Sequence, residues 1–322
     1  MSQRLTALSK FLPNPTKLGV VAASFSGGGP RPGAELGPGS LLDYGLSKHL
    51  QAGFDGVRIT DCLPHATATD KDVDRQIGMN RTVSVSHFTE RLNREVYAHA
   101  RQGQPVLTLG GDHSIAIGTL TGMARAVRER LMGQEIAVIY VDAHADINTP
   151  ETSPSGNIHG MPLAFATGIA RRAEGPLSWI SNEHLINPKK IVYLGLRDVE
   201  EAEWRTIHGH GIKAFDMREI REKGIERIMD LTLEYIGNET PIHISYDIDG
   251  LDPKWAPCTT LPVGGGLSLA EGTYISRRIL ETGSLVGMDL VELNPSVSPE
   301  KLDLTLQTGC SLIYSAFGVE EG

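Results

Sequence analysis

Short apolar, β-branched runs recur along the whole chain and alternate with stretches in which apolar positions return every three or four residues. The first pattern reads as strands and the second as helices packed by one face; their alternation predicts a parallel sheet wrapped by helices. Strands are expected at Leu18–Ser24, Gly56–Thr60, Pro105–Leu109, Ile136–Val141, Lys190–Leu196, Lys213–Asp216, Pro241–Asp247 and Leu285–Val291. Several are continuously apolar, as strands covered on both faces should be. Helices are expected at Pro38–Gln51, Ser84–Gln102, Ile115–Leu131, Glu200–His210, Met217–Ile236, Leu269–Thr282 and Pro299–Phe317. No composition break, long linker or repeat separates two halves, so residues 1–322 read as one α/β domain.

Open α/β sheets bind ligands where loops leave the carboxyl ends of their strands. Three such loops stand out: Ser26–Pro38, rich in Gly and Pro; Glu151–Gly160, polar; and Leu251–Leu267, rich in Gly, Pro and Thr. Composition narrows the ligand only by exclusion. A formal charge of −9 argues against nucleic acid, which needs a basic face. No apolar run approaches the roughly 20 residues of a membrane helix. Cys62, Cys258 and Cys310 are odd in number and widely spaced, which fits a reducing compartment and offers no Cys-x-x-Cys site. Arg4, Lys10 and Lys17 precede the first acid, Glu35, in the manner of a weak mitochondrial signal. A first strand near Leu18 leaves too little leader to remove, and a cytoplasmic location is expected.

The chemistry lies at three strand ends. Ile136–Val141 runs into Asp142-Ala143-His144-Ala145-Asp146, and strand alternation would project Asp142, His144 and Asp146 to one side. Pro241–Asp247 runs into Asp247-Ile248-Asp249, with Asp252 beyond. A third strand runs into Gly110-Gly111-Asp112-His113-Ser114, whose glycines permit a tight turn close to a neighbouring strand end. His113 alone could equally cap the following helix. As a set, these carboxylates repel one another and are costly to bury unless a pair of divalent cations supplies the opposing charge. Mixed oxygen and imidazole donors suit manganese, zinc or iron better than calcium.

Gly110–Ser114, Asp142–Asp146 and Ser245-Tyr246-Asp247-Ile248-Asp249 together resemble the signature of the ureohydrolases, the family of arginases, agmatinases and related amidinohydrolases. Ser155-Gly156-Asn157-Ile158-His159-Gly160 and Gly195-Leu196-Arg197-Asp198-Val199 resemble its arginase branch, fungal arginases most of all. Phe25-Ser26-Gly27-Gly28 and Glu292-Leu293-Asn294-Pro295 extend the resemblance over nearly the whole chain. It implies a single-domain fold with an eight-stranded parallel sheet and helices on both faces. It also implies two manganese ions, one held by His113, Asp142, Asp146 and Asp247, the other by Asp142, His144, Asp247 and Asp249. The implied reaction releases urea from a guanidino compound by attack of a manganese-bridging hydroxide, conversion of L-arginine to L-ornithine being the leading case. Glu292 would pair with the guanidinium, Asp146 would carry a proton to the leaving amine, and His159 would relay protons with solvent. Asn148, Ser155 and Asn157 would read the α-carboxylate, and Glu200 and Glu203 the α-amino group. A homotrimer or hexamer is the implied assembly.

The chain departs from the arginase pattern in two places. Asp-Val-Asp becomes Asp198-Val199-Glu200, which adds a methylene beside the α-amino site. Thr-Gly-Thr-Pro-Val becomes Thr259-Thr260-Leu261-Pro262-Val263: Thr260 replaces a glycine and is expected to resist positive φ, and Leu261 replaces a threonine near the guanidinium. Gly264 stands where an arginine or valine is common. Two further readings follow, an amidinohydrolase for another guanidino acid such as 4-guanidinobutanoate, and a non-catalytic regulatory protein that binds arginine or ornithine. A single-zinc deacetylase of similar fold is disfavoured by the paired aspartate motifs.

Overall fold

The computed structural model describes residues 8, 10–62, 73, 74 and 78–320. Eight strands, β1 (Lys17–Ala23), β2 (Gly56–Cys62), β5 (Val106–Gly110), β6 (Ala137–Val141), β7 (Ile191–Leu196), β8 (Lys213–Asp216), β9 (Ile242–Asp247) and β10 (Leu285–Val291), form one sheet in the order β2-β1-β5-β10-β9-β6-β7-β8. Every pairing in it is parallel. The short β3 (Val73–Asp74) and β4 (Met79–Asn80) pair antiparallel beside it. The central strands are buried at every position because helices cover both faces. Alternate residues of β6 enter different cores: Ala137, Ile139 and Val141 one, Val138 and Tyr140 the other.

The expected strands are all present with ends moved by a residue or two. Four expected helices are observed as Thr82–Arg101, Ala116–Arg130, Glu201–His210 and Leu269–Glu281. Others are corrected. Pro38–Gln51 is not one helix: Gly45, at φ 112°, breaks it within a wide turn, Leu42–Leu46, between helices Gly37–Leu41 and Ser47–Gly53. Met217–Ile236 divides at Gly224 (φ 79°, ψ 148°) into Met217–Lys223 and Ile225–Ile236. The last helix opens with a tight 3-10 turn, Pro299–Lys301, before Leu302–Phe317. A short helix outside the expected set, Pro162–Thr167, begins on proline and ends at left-handed Gly168, a start and stop present in the sequence.

Strand order and register position the site. β5, β10, β9 and β6 are adjacent in the middle of the sheet, with Leu290 opposite Leu109, Val291 opposite Asp247 and Val141 opposite Tyr246. The four strands therefore end side by side, and the residues that follow them gather at one edge. Gly111 is required there, since a Cβ would lie 1.7 Å from the carbonyl oxygen of Phe25.

Candidate metal centre

β6 stops at Val141, so residues 142–146 are not continued strand and alternation does not align them. The chain turns instead, with Asp146 in a left-handed conformation at φ 51°. The side chains converge all the same. His113 Nδ1 lies 3.1 Å from Oδ2 of Asp142, of Asp146 and of Asp247. His144 Nδ1 lies 3.1 Å from Asp249 Oδ2 and 3.5 Å from Asp142 Oδ1. One ring proton cannot serve three carboxylates, and equal separations of this kind are those of donors facing a common cation. The donor atoms form two overlapping groups, His113–Asp142–Asp247 and Asp142–His144–Asp249, each within 4.8 Å. Asp142 belongs to both groups and Asp247 to the first alone, while Asp146, though its Oδ2 lies 3.1 Å from His113 Nδ1, belongs to neither.

Four buried aspartates at this spacing are electrostatically expensive. Burial, then Asp249 and Asp146, pushes Asp142 up to about 6. Burial, then Asp249 and Asp142, raises Asp247 well above the usual carboxylate range. Burial would raise Asp249 as well, but His144 outweighs it and holds the group low. Asp142 Oδ2 and Glu292 Oε2 are buried without a hydrogen bond. Divalent cations would offset this penalty, and a carboxylate and imidazole donor set fits them.

A second layer fixes the donors. Ser245 Oγ lies 3.0 Å from His113 Nε2, and Tyr140 stacks on the His113 ring at 4.5 Å and 5°. The Tyr140 hydroxyl donates to Asp146 Oδ2 at 2.9 Å. Asp112 ties the first loop to the site, accepting from the amides of Gly28, Gly29 and Ser114. Ala143 N donates to Asp249 Oδ1 at 3.2 Å, and Arg197 donates to the carbonyls of Asp249, Leu251 and Val263. Sequence reasoning missed Tyr140, and quoted Arg197 and Ser245 only within motifs; strand pairing, not spacing, reveals their contacts.

Over the centre opens a cavity of about 230 Å³. Of the residues expected at the site, His144, Asp146, Asn148, Ser155, His159, Glu200, Glu203, Asp247, Asp249 and Glu292 line it, joined by Ser153, Pro154, Asp198 and Leu261. His113 and Asp142 are buried. Asn157 is not among the lining residues; its Oδ1 accepts from Asn80 Nδ2 at 3.0 Å. Glu292, left-handed at φ 62°, accepts from His113 N at 2.9 Å and lies 3.3 Å from His159 Nδ1. Burial lowers the His159 pKa, but the Glu292 hydrogen bond and the charges of Glu292, Asp146 and Asp112 outweigh it, and the net shift is upward.

At the outer wall Asn148 Nδ2 donates to Glu200 Oε2 at 2.9 Å. Glu203 accepts from the amides of Ile147 and Glu200, closing the N-terminus of helix Glu201–His210. Burial first, then Asp146, pushes Glu203 up to about 7. Thr260 is buried without positive φ, so the strain expected of it does not arise. Gly264 is exposed, and a Cβ there would meet nothing within 4 Å.

Known proteins resemble the chain over nearly its whole length. The Arginase family model matches residues 16–318. The arginase of Coccidioides posadasii is 50% identical, covering 99% of each chain, and that of Emericella nidulans is 48% identical with the same coverage. The crystal structure of Entamoeba histolytica arginase in complex with L-ornithine superposes with a TM-score of 0.85 at 29% identity, covering 95% of this chain and 99% of that one. The resemblance carried by the strand-end motifs thus holds over the whole described fold, and the chain belongs to the arginase family.

Proposed function

We propose that this chain is an arginase that hydrolyses L-arginine to L-ornithine and urea with two manganese ions, residues 1–322 acting as one ureohydrolase unit. The observation that carries this reading is the presence of two acidic groups in one cleft. The inner group, Asp146, Asp247 and Asp249 with buried Asp142, suits two divalent cations; the outer group, Asp198, Glu200 and Glu203, suits an α-ammonium. His113, Asp142, Asp146 and Asp247 would hold one ion, and Asp142, His144, Asp247 and Asp249 the other. When bound, the ions acidify water into a nucleophile at neutral pH.

The remaining work falls to side chains. Glu292 receives the guanidinium: Oε1 is fixed by the amide of His113, and Oε2 is without a hydrogen bond, ready for an N–H donor. Asp146 takes the proton of the attacking water and delivers it to the leaving amine. His159, close to Glu292 and the cleft, exchanges protons with solvent. Asn148 and Ser155 read the α-carboxylate from the cleft wall, and Asn157 joins them by exchanging its bond to Asn80. On the family pattern the enzyme is a homotrimer or hexamer, and a cytoplasmic location is part of the same proposal. Among the described residues no helix is long and apolar enough to cross a membrane.

Urea release from L-arginine, 4-guanidinobutanoate and agmatine tests the reading. Arginine should be preferred by a wide margin, and Asp247→Asn should abolish its turnover. Preference for 4-guanidinobutanoate would mean that the outer acids receive no ammonium. Urea from none of the three despite bound manganese would favour a protein that binds arginine or ornithine without cutting it.

A further inference from the structure

Asp146 sits at φ 51°, a left-handed conformation that is uncommon for a residue with a Cβ, although aspartate tolerates it better than most, and contacts on every side hold it there. Two tyrosines reach it from the sheet. Tyr140 on β6 and Tyr193 on β7 are register partners, so their side chains leave the same face of the sheet side by side. Both are fully buried, and their rings meet edge to face at 5.5 Å and 76°. The Tyr193 hydroxyl donates to the carbonyl oxygen of Ala145 at 2.6 Å, and the Tyr140 hydroxyl donates to Asp146 Oδ2 at 2.9 Å. One phenol thus holds the peptide entering Asp146 and the other holds its carboxylate. The peptide leaving it is tied as well, since Leu163 N donates to Asp146 O at 3.1 Å and Ile147 N to Glu203 Oε1 at 3.2 Å. The Tyr140 ring also stacks on His113, so a single side chain braces two donors of the centre.

We infer that Tyr140 and Tyr193 form a positioning clamp that holds Asp146 in its left-handed conformation, with the carboxylate aligned toward the centre. Neither tyrosine lines the cleft, so both act through Asp146 and never touch substrate. The inference rests on the proposed role of Asp146 as metal ligand and proton carrier. Buried outer partners of metal ligands matter because they fix an orientation that a free side chain would sample only part of the time. A phenol suits the task, since its O–H is a donor that ring packing keeps in place.

Tyr140→Phe deletes one hydroxyl and keeps the stack on His113. In the manganese-loaded variant kcat should fall about 10-fold or more, with KM for arginine within about twofold of wild type. Manganese binding to the metal-free variant, followed by calorimetry, should weaken about 10-fold. Tyr193→Phe, which acts on the backbone alone, should lower kcat by about 3- to 10-fold with the same unchanged KM. It also carries the test by the same readouts should Tyr140→Phe fail to fold. A merely structural role would lower the melting temperature and leave kcat and manganese affinity unchanged. That result in either folded variant overturns the clamp while leaving the functional reading intact. A wild-type protein that binds no manganese overturns both.

Discussion

Glu200 reaches one methylene further than the aspartate usual at its place, and the extra length is used: its Oε2 takes a hydrogen bond from Asn148. The acid that would read the α-ammonium is thereby joined to the amide that would read the α-carboxylate, so one wall of the cleft would address both ends of an amino acid. Glu200→Gln removes the charge and leaves the shape. It should raise KM for arginine about 10-fold, as expected for losing one charge-assisted contact, and leave turnover of 4-guanidinobutanoate unchanged. An equal effect on both substrates would contradict the assignment. Leu261, on the same cleft, adds apolar surface where a hydroxyl is usual, so Leu261→Thr should alter KM more than kcat. At this scale the sequence was a good guide to identity and a poor one to pose. Thr260 stands where glycine is usual and yet needs no positive φ, and Asn157 sits in the expected motif but bonds to Asn80. Backbone conformation and side-chain partner follow from neighbours that local sequence does not name.

The strands were legible because each is an apolar run covered on both faces, and the donor residues were legible because they interrupt such runs at one end. What joins them was not. Asp142, His144 and Asp146 converge through a turn with a left-handed residue, not through strand alternation, and Tyr140 meets Tyr193 only because β6 pairs with β7 in that register. Helix ends were obscured in a similar way: apolar spacing persists across Gly45 and Gly224, so the breaks lie in single glycines within an otherwise helical pattern. The strand-end cluster has a measurable consequence. In metal-free protein Asp142 titrates at about 6 and Glu203 at about 7, both above their values in an unfolded chain. Folding therefore takes up protons. The stability these groups contribute is complete below about pH 4 and is lost as the pH rises through 6 to 7. Melting curves in chelator should shift to lower temperature between pH 5 and 8, while saturating manganese should open a gap of at least about 5 °C at the alkaline end. Curves that stay parallel across that range would mean that these two carboxyl groups are not raised by folding.

At the scale of the whole molecule, one sheet with helices on both faces places five buried strands so that the most polar chemistry sits at the edge of the most apolar region. That arrangement buries most of the carboxylates at the floor of a cleft, where bound cations would balance their charge and tie metal affinity, stability and activity together. The net charge of −9 adds nothing to this, since a charge summed over the chain does not say how the cleft is charged. Fold class, sheet and family were all readable from the chain, since they rest on repeated patterns spread over hundreds of residues, whereas the clamp and the cleft contacts depend on single pairings. The most direct test is a manganese titration of metal-free protein in which bound metal per chain and urea release from L-arginine are followed together. Two ions bound per chain, with urea appearing as they bind, and fewer ions with no urea in Asp247→Asn, is the predicted result. Two bound ions with no urea from arginine would contradict the central claim.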